Sequence, residues 1–91
     1  MLALSHFRQW YFLKSMPRLP IVTPQKFLKI LESLGFAHVH GSGSHKVMKH
    51  RDGRRTTVPV HGKDIPKGTL LAMLRDVEIT KEEMVVLLKK K

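Results

Sequence analysis

The apolar positions change period along the chain, and each change marks an element. Over residues 24–35, Phe27, Leu28, Ile30, Leu31 and Leu34 recur at intervals of three and four, which gathers them on one face of a helix. Thr23 suits the N-cap, and Pro24 suits the first helical position, where no amide hydrogen is needed. Gly35 stops the helix. The period then falls to two: Phe36 to His40 reads as a strand, and GSGS at residues 41–44 as a loop. Two further alternating runs, His45 to His50 and Arg54 to Val60, flank Arg51-Asp52-Gly53 and give a hairpin signal. After the punctuation HGKDIPKG, helical spacing returns in Leu70, Leu71, Met73, Leu74 and Val77. Thr80 followed by Glu83 forms a capping box that opens a short third helix with a basic tail.

The expected order is therefore α-β-β-β-α-α. Strands gathered between helices imply an α+β fold: a three-stranded antiparallel sheet with the helices on one face and the other face open to solvent. Which side chains reach that open face depends on the hairpin register. A two-residue Asp52-Gly53 turn pairs 47 with 58 and 45 with 60, and turns His45 inward with three valines. A three-residue Arg51-Asp52-Gly53 turn, with Gly53 left-handed, pairs 48 with 56 and 46 with 58. Met48, Thr56 and Val58 then meet the helices, while His45, Lys49, Arg55 and Thr57 face out and Val47 is left outside. Sequence alone does not settle the choice. Burying Lys49 and Arg55 in so small a core would cost several kcal/mol per unpaired charge, which favours the second register.

Composition sharpens this picture in two ways. The 91 residues make one small domain, with 17 Lys and Arg against 7 Asp and Glu for a formal charge of +10. Such an excess attracts a polyanion, either nucleic acid or an acidic protein surface. Residues 1–15 hold Arg8 and Lys14 and no acid, so removing their two charges leaves +8 on the remainder. The absence of cysteine excludes a disulfide framework and a thiolate zinc site, and makes a reducing cytoplasm the default compartment. No apolar run is long enough to cross a bilayer and no secretory cleavage pattern follows the N-terminal apolar stretch, so no membrane association is expected.

The first twenty residues form an extension to a domain that runs over residues 21–91. Phe7, Trp10, Tyr11 and Lys14 have helical spacing, and MPRLPIVTP behind them is a stiff extended connector. Two readings follow: an amphipathic arm that docks on the domain or on a partner, or a translated stretch ahead of a natural start at Met16.

Candidate chemistry centres on GSGSHKVMKH, residues 41–50. Gly41 and Gly43 allow backbone amides to approach a phosphate, and the next side chain along is an imidazole, which can exchange a proton near neutral pH. Together, TPQKFLKILESLGF, the triplet GSH, and TVPVHGKDIPKGTLLAMLRD resemble the HicA family, also called YcfA-like, the small toxins of bacterial toxin-antitoxin pairs. The resemblance covers Thr23 to about residue 88. It implies a fold similar to the double-stranded-RNA-binding domain and the activity of an mRNA-cleaving ribonuclease, silenced by a HicB-like antitoxin. It further implies that Gly43-Ser44-His45 is the active-site triplet, with His45 catalytic. Two features depart from the family pattern: Met48 stands where an aromatic residue is usual, and the extension to about residue 20 is additional.

The chemistry so implied is metal-free. A neutral imidazole takes the proton of a ribose 2′-hydroxyl, and the oxygen then attacks the adjacent phosphorus; one positioned base of this kind contributes roughly 10²- to 10⁴-fold. Lys46, Lys49, Arg54 and Arg55 are candidates to hold the phosphate, with no one of them singled out as the stabiliser. Lys63 and Lys67, near the start of the second helix, extend the RNA-contacting set. His38 and His40 on one face of a strand, with His50 and His61 not far off, invite a metal hypothesis. No carboxylate lies among them at ligand spacing, so they read as surface or RNA-contacting histidines, and neither a metal nor another cofactor is expected. The rival reading is a non-catalytic RNA-binding module of the same fold that grips duplex phosphates by shape. A pure partner-binding protein without activity is a third.

Overall fold

The computed structural model describes residues 19–41 and 43–90. Its elements follow in the order α1 (Pro24–Ser33), β1 (Ala37–His40), β2 (His45–Lys49), β3 (Arg55–Pro59), α2 (Lys67–Val77) and α3 (Lys81–Lys90). The amphipathic arm expected over residues 1–15 lies outside the described residues.

Helix α1 starts where its sequence says it should. Thr23 Oγ1 accepts a hydrogen bond from the Lys26 amide at 3.2 Å, and Pro24 occupies the first turn. Phe27, Ile30 and Leu31 are completely buried, each contributing about 1.5–3 kcal/mol of transfer free energy. Gly35, at φ +98°, turns the chain out of the helix, and the Phe36 amide donates back to the Leu31 carbonyl at 3.0 Å.

The three strands form an antiparallel sheet in the order β1-β2-β3. Strands β2 and β3 pair Met48 with Thr56, Lys46 with Val58 and His45 with Pro59, which is the register of the three-residue turn. Gly53 has φ +104°, and the His50 amide donates to the Arg54 carbonyl at 2.8 Å to close the hairpin. Avoiding buried charge thus selects the register, with Lys49 and Arg55 both exposed. Pro59 is tolerated because β3 is an edge strand, whose outer amides need no partner.

Strand β1 departs from simple alternation. His38 pairs with Met48 but His40 pairs with Val47, with a bulge between them. One extra residue, Val39, therefore reverses the side-chain phase and sets His38 and His40 on opposite faces of the sheet. The expectation that these two histidines share a face is corrected here, since a bulge leaves no mark in a run of four alternating residues.

Met48 and Val58, from one face of the sheet, are packed into the core with Phe27, Ile30 and Leu31 of α1. Leu70, Met73, Leu74 and Val77 of α2 and Met84 of α3 complete it. All three helices therefore cover the same side. Thr56 is the one buried polar residue among these side chains, and its hydroxyl donates to Asp76 Oδ2 at 2.9 Å. Helix α2 ends on Glu78 in the left-handed conformation (φ +58°), with the Ile79 amide returning to the Leu74 carbonyl at 3.0 Å. The capping box of α3 is reciprocal: the Thr80 amide donates to Glu83 Oε1 at 2.8 Å, and the Glu83 amide donates to Thr80 Oγ1 at 3.1 Å. No helix among the described residues is long and apolar enough to cross a membrane.

Candidate functional site

The face of the sheet turned away from the helices carries His40, His45, Lys49, Arg55 and Thr57, all exposed. Val47 lies on this face as the register requires, yet is only 8% exposed. As the middle residue of the central strand it is flanked by Thr57 on one side and His40 on the other.

His45 opens β2 and is held from three directions. The Val60 amide donates to the Ser44 carbonyl at 2.8 Å, which ties the residue before His45 to the end of β3. Ser44 Oγ lies 3.0 Å from His45 Nδ1, fixing the ring from its inner nitrogen. Gly41, at φ +150°, passes so close beneath the strand that a Cβ there would run into the His45 carbonyl oxygen. Only glycine fits at that crossing. Gly43 is different, because a Cβ there would have nothing within 4 Å. Of the two glycines, Gly41 is needed for the chain to cross beneath His45, and Gly43 leaves open space beside it.

When Nδ1–H donates to Ser44 Oγ, Nε2 carries the lone pair. Among the described residues Nε2 has no hydrogen-bond partner, so it is free to accept a proton from outside the protein. The His61 ring stands next to it, with centroids 5.8 Å apart and planes at 66°. This neighbour follows from the register, because pairing 45 with 59 brings residue 61 alongside the Gly43-Ser44 segment. A sequence reading that paired the strands this way and continued two residues further would have found it.

The basic residues divide into groups. Lys49 and Arg55 are direct cross-strand partners on the exposed face. No carboxylate forms an ion pair with either among the described residues. Like charges set opposite each other in a sheet repel, so the pair concentrates positive charge on this face at some cost in stability. Four residues of strand separate them from His45, about 13 Å. Lys46 is paired with Val58, on the side of the sheet that carries the helices, and is exposed. Lys63 lies in the loop after β3 and Lys67 opens α2, both exposed.

Arg54 is drawn into the structure itself. Its Nε donates to Asp52 Oδ2 at 2.8 Å and its Nη1 to the Val77 carbonyl at 2.7 Å, at the C-terminal end of α2. Its guanidinium lies 5.1 Å from the centre of the Phe36 ring, which also meets His50 edge-on. The Arg54 amide bonded to its carboxylate, with the guanidinium and His50 nearby, holds Asp52 below the usual carboxylate range. This cluster ties the hairpin turn to α2 and does not lie beside His45. Among the described residues no group of three or more His, Asp or Glu side chains is gathered as a metal ion would require.

A family model for the HicA toxin of bacterial toxin-antitoxin systems matches residues 24–79, more than half of the chain. The chain belongs to the HicA toxin family. The match begins with the first turn of α1 and ends just after α2, so it takes in the Gly43-Ser44-His45 triplet, His61 and the whole sheet, and leaves α3 outside. No curated protein matches the chain. As a HicA toxin it is one half of a toxin-antitoxin pair and implies an antitoxin partner. HicA toxins are generally ribonucleases.

Proposed function

We propose that this HicA toxin is an mRNA-cleaving ribonuclease that acts in the cytoplasm, uses His45 as its general base without a metal ion, and is inhibited by a HicB-like antitoxin. The observation that carries the proposal is the exposed imidazole of His45, steadied at Nδ1 by Ser44 and standing on the same face as two cations that have no acid paired with them among the described residues.

In this account single-stranded RNA crosses the outer face of the sheet. Lys49 and Arg55 bind phosphates on one side of the scissile linkage, and Lys63 and Lys67, exposed in the loop after β3 and at the start of α2, add positive charge that attracts the strand. Gly43 and Ser44 let the backbone come close to the phosphate, with no side chain at Gly43 in the way. His45 Nε2 takes the 2′-hydroxyl proton, the 2′-oxygen bonds to phosphorus, and the bond from phosphorus to the 5′-oxygen breaks. The products are a 2′,3′-cyclic phosphate and a free 5′-hydroxyl. Lys46, paired with Val58, and Arg54, committed to Asp52 and Val77, take no part in holding the scissile phosphate.

The experiment is incubation of purified protein with single-stranded RNA in excess EDTA, with the new ends identified chemically. The account expects cleavage to persist and to leave 2′,3′-cyclic phosphate ends. RNA that is bound but stays intact would replace it with the RNA-binding module.

A further inference from the structure

Transfer of phosphorus to the 2′-oxygen needs a second proton movement. The 5′-oxygen leaves with an electron pair and must be protonated as it does so, and His45 cannot supply that proton while it is accepting the one from the 2′-hydroxyl. In the in-line geometry the entering and leaving oxygens stand on opposite sides of phosphorus. A donor is therefore required next to His45 but not on top of it.

We propose that His61 is this donor, so that the site works as a pair of histidines; the inference rests on the ribonuclease reading above. The His61 ring centroid lies 5.8 Å from that of His45 at an angle of 66°, and His61 is exposed. Two rings at this separation leave room for oxygens of one phosphate to reach both, each within the hydrogen-bond distance that proton transfer requires. The other cations are less suited. Lys49 and Arg55 are too far along the strands, Lys46 shares the face of Val58, and Arg54 is engaged at Val77. Lysine and arginine in general also part with a proton too reluctantly to be efficient acids near neutral pH, whereas imidazole does not.

The backbone explains how His61 arrives there. Pro59 ends β3 opposite His45, the Val60 amide is held by Ser44, and the chain then leaves the sheet at Gly62, whose φ is +79°. His61 is thereby fixed between a strand bond and a turn, on the end of the sheet where His45 begins.

Neutral His45 gains the 2′-hydroxyl proton, the bond from 2′-oxygen to phosphorus forms, the bond from phosphorus to 5′-oxygen breaks, and the imidazolium of His61 gives its proton to the departing 5′-oxygen. Exchange with solvent then returns His45 to the neutral form and His61 to the charged form.

The test uses two RNA oligonucleotides that differ only at a linkage the wild-type protein cleaves: one ordinary, the other with sulfur in place of the bridging 5′-oxygen. A thiolate leaves without needing a proton. We expect His61→Ala to slow the ordinary linkage by roughly 10²- to 10⁴-fold while cleaving the sulfur linkage within several-fold of wild type, and His61→Gln to behave in the same way. His45→Ala should lose both. Equal loss on both linkages in His61 variants that melt like wild type, or ordinary cleavage at the wild-type rate, would overturn the assignment. Wild-type protein that cleaves neither linkage would instead remove the ribonuclease reading on which the assignment stands.

Discussion

Lys49 and Arg55 face each other directly across β2 and β3, both exposed. A fold selected for stability alone would place an acid at one of these positions. Lys49→Glu therefore should stabilise the domain by about 0.2–1 kcal/mol while weakening RNA binding. Urea unfolding checks the first effect. For the second, the slope of log affinity against log salt should fall by about one for each phosphate the protein no longer neutralises.

Arg54 should behave in the opposite sense. Arg54→Ala removes the cap on the Val77 carbonyl and the packing on Phe36, and should cost about 1–2 kcal/mol of stability. RNA affinity, measured below the melting temperature, should change little.

The loop before β2 offers a paired test. Gly41→Ala forces a Cβ into the His45 carbonyl at a backbone conformation that L-residues avoid, and should destabilise by about 1–3 kcal/mol. Gly43→Ala, with open space around it, should stay within about 0.5 kcal/mol of wild type. Equal melting temperatures for the two variants would contradict the role given to Gly41.

Asp52 makes stability depend on acid. Its carboxyl is held below the usual value of 3.8 in the folded chain by the Arg54 amide and guanidinium, so the ionised form favours folding above that value, and the benefit is lost as pH falls through the lower, folded-state range. Asp52→Asn should melt below wild type at neutral pH, with the gap narrowing on acidification beneath about pH 4.

The helices were legible because each has its own punctuation: Thr23-Pro24 and Gly35 around α1, and Thr80 with Glu83 ahead of α3. The charges of Lys49 and Arg55, whose burial would have been too costly, favoured the hairpin register that forms without settling it. What the sequence did not disclose depends on events between strands. The bulge at Val39 moves His38 and His40 to opposite faces without any glycine or proline to signal it. The engagement of Arg54 spans 23 residues to a carbonyl of Val77, and backbone acceptors have no sequence signature. The neighbourhood of His45 and His61 lay between these cases, since it follows from the register but not from the spacing of histidines along the chain.

The central claim, that His45 performs the proton transfer, is tested most directly by measuring single-turnover RNA cleavage and RNA affinity together for wild type and His45→Ala. The side chain is exposed, so the variant should fold and should bind RNA within a few-fold of wild type, yet cleave it roughly 10²- to 10⁴-fold more slowly. Cleavage by His45→Ala at the wild-type rate would contradict the account.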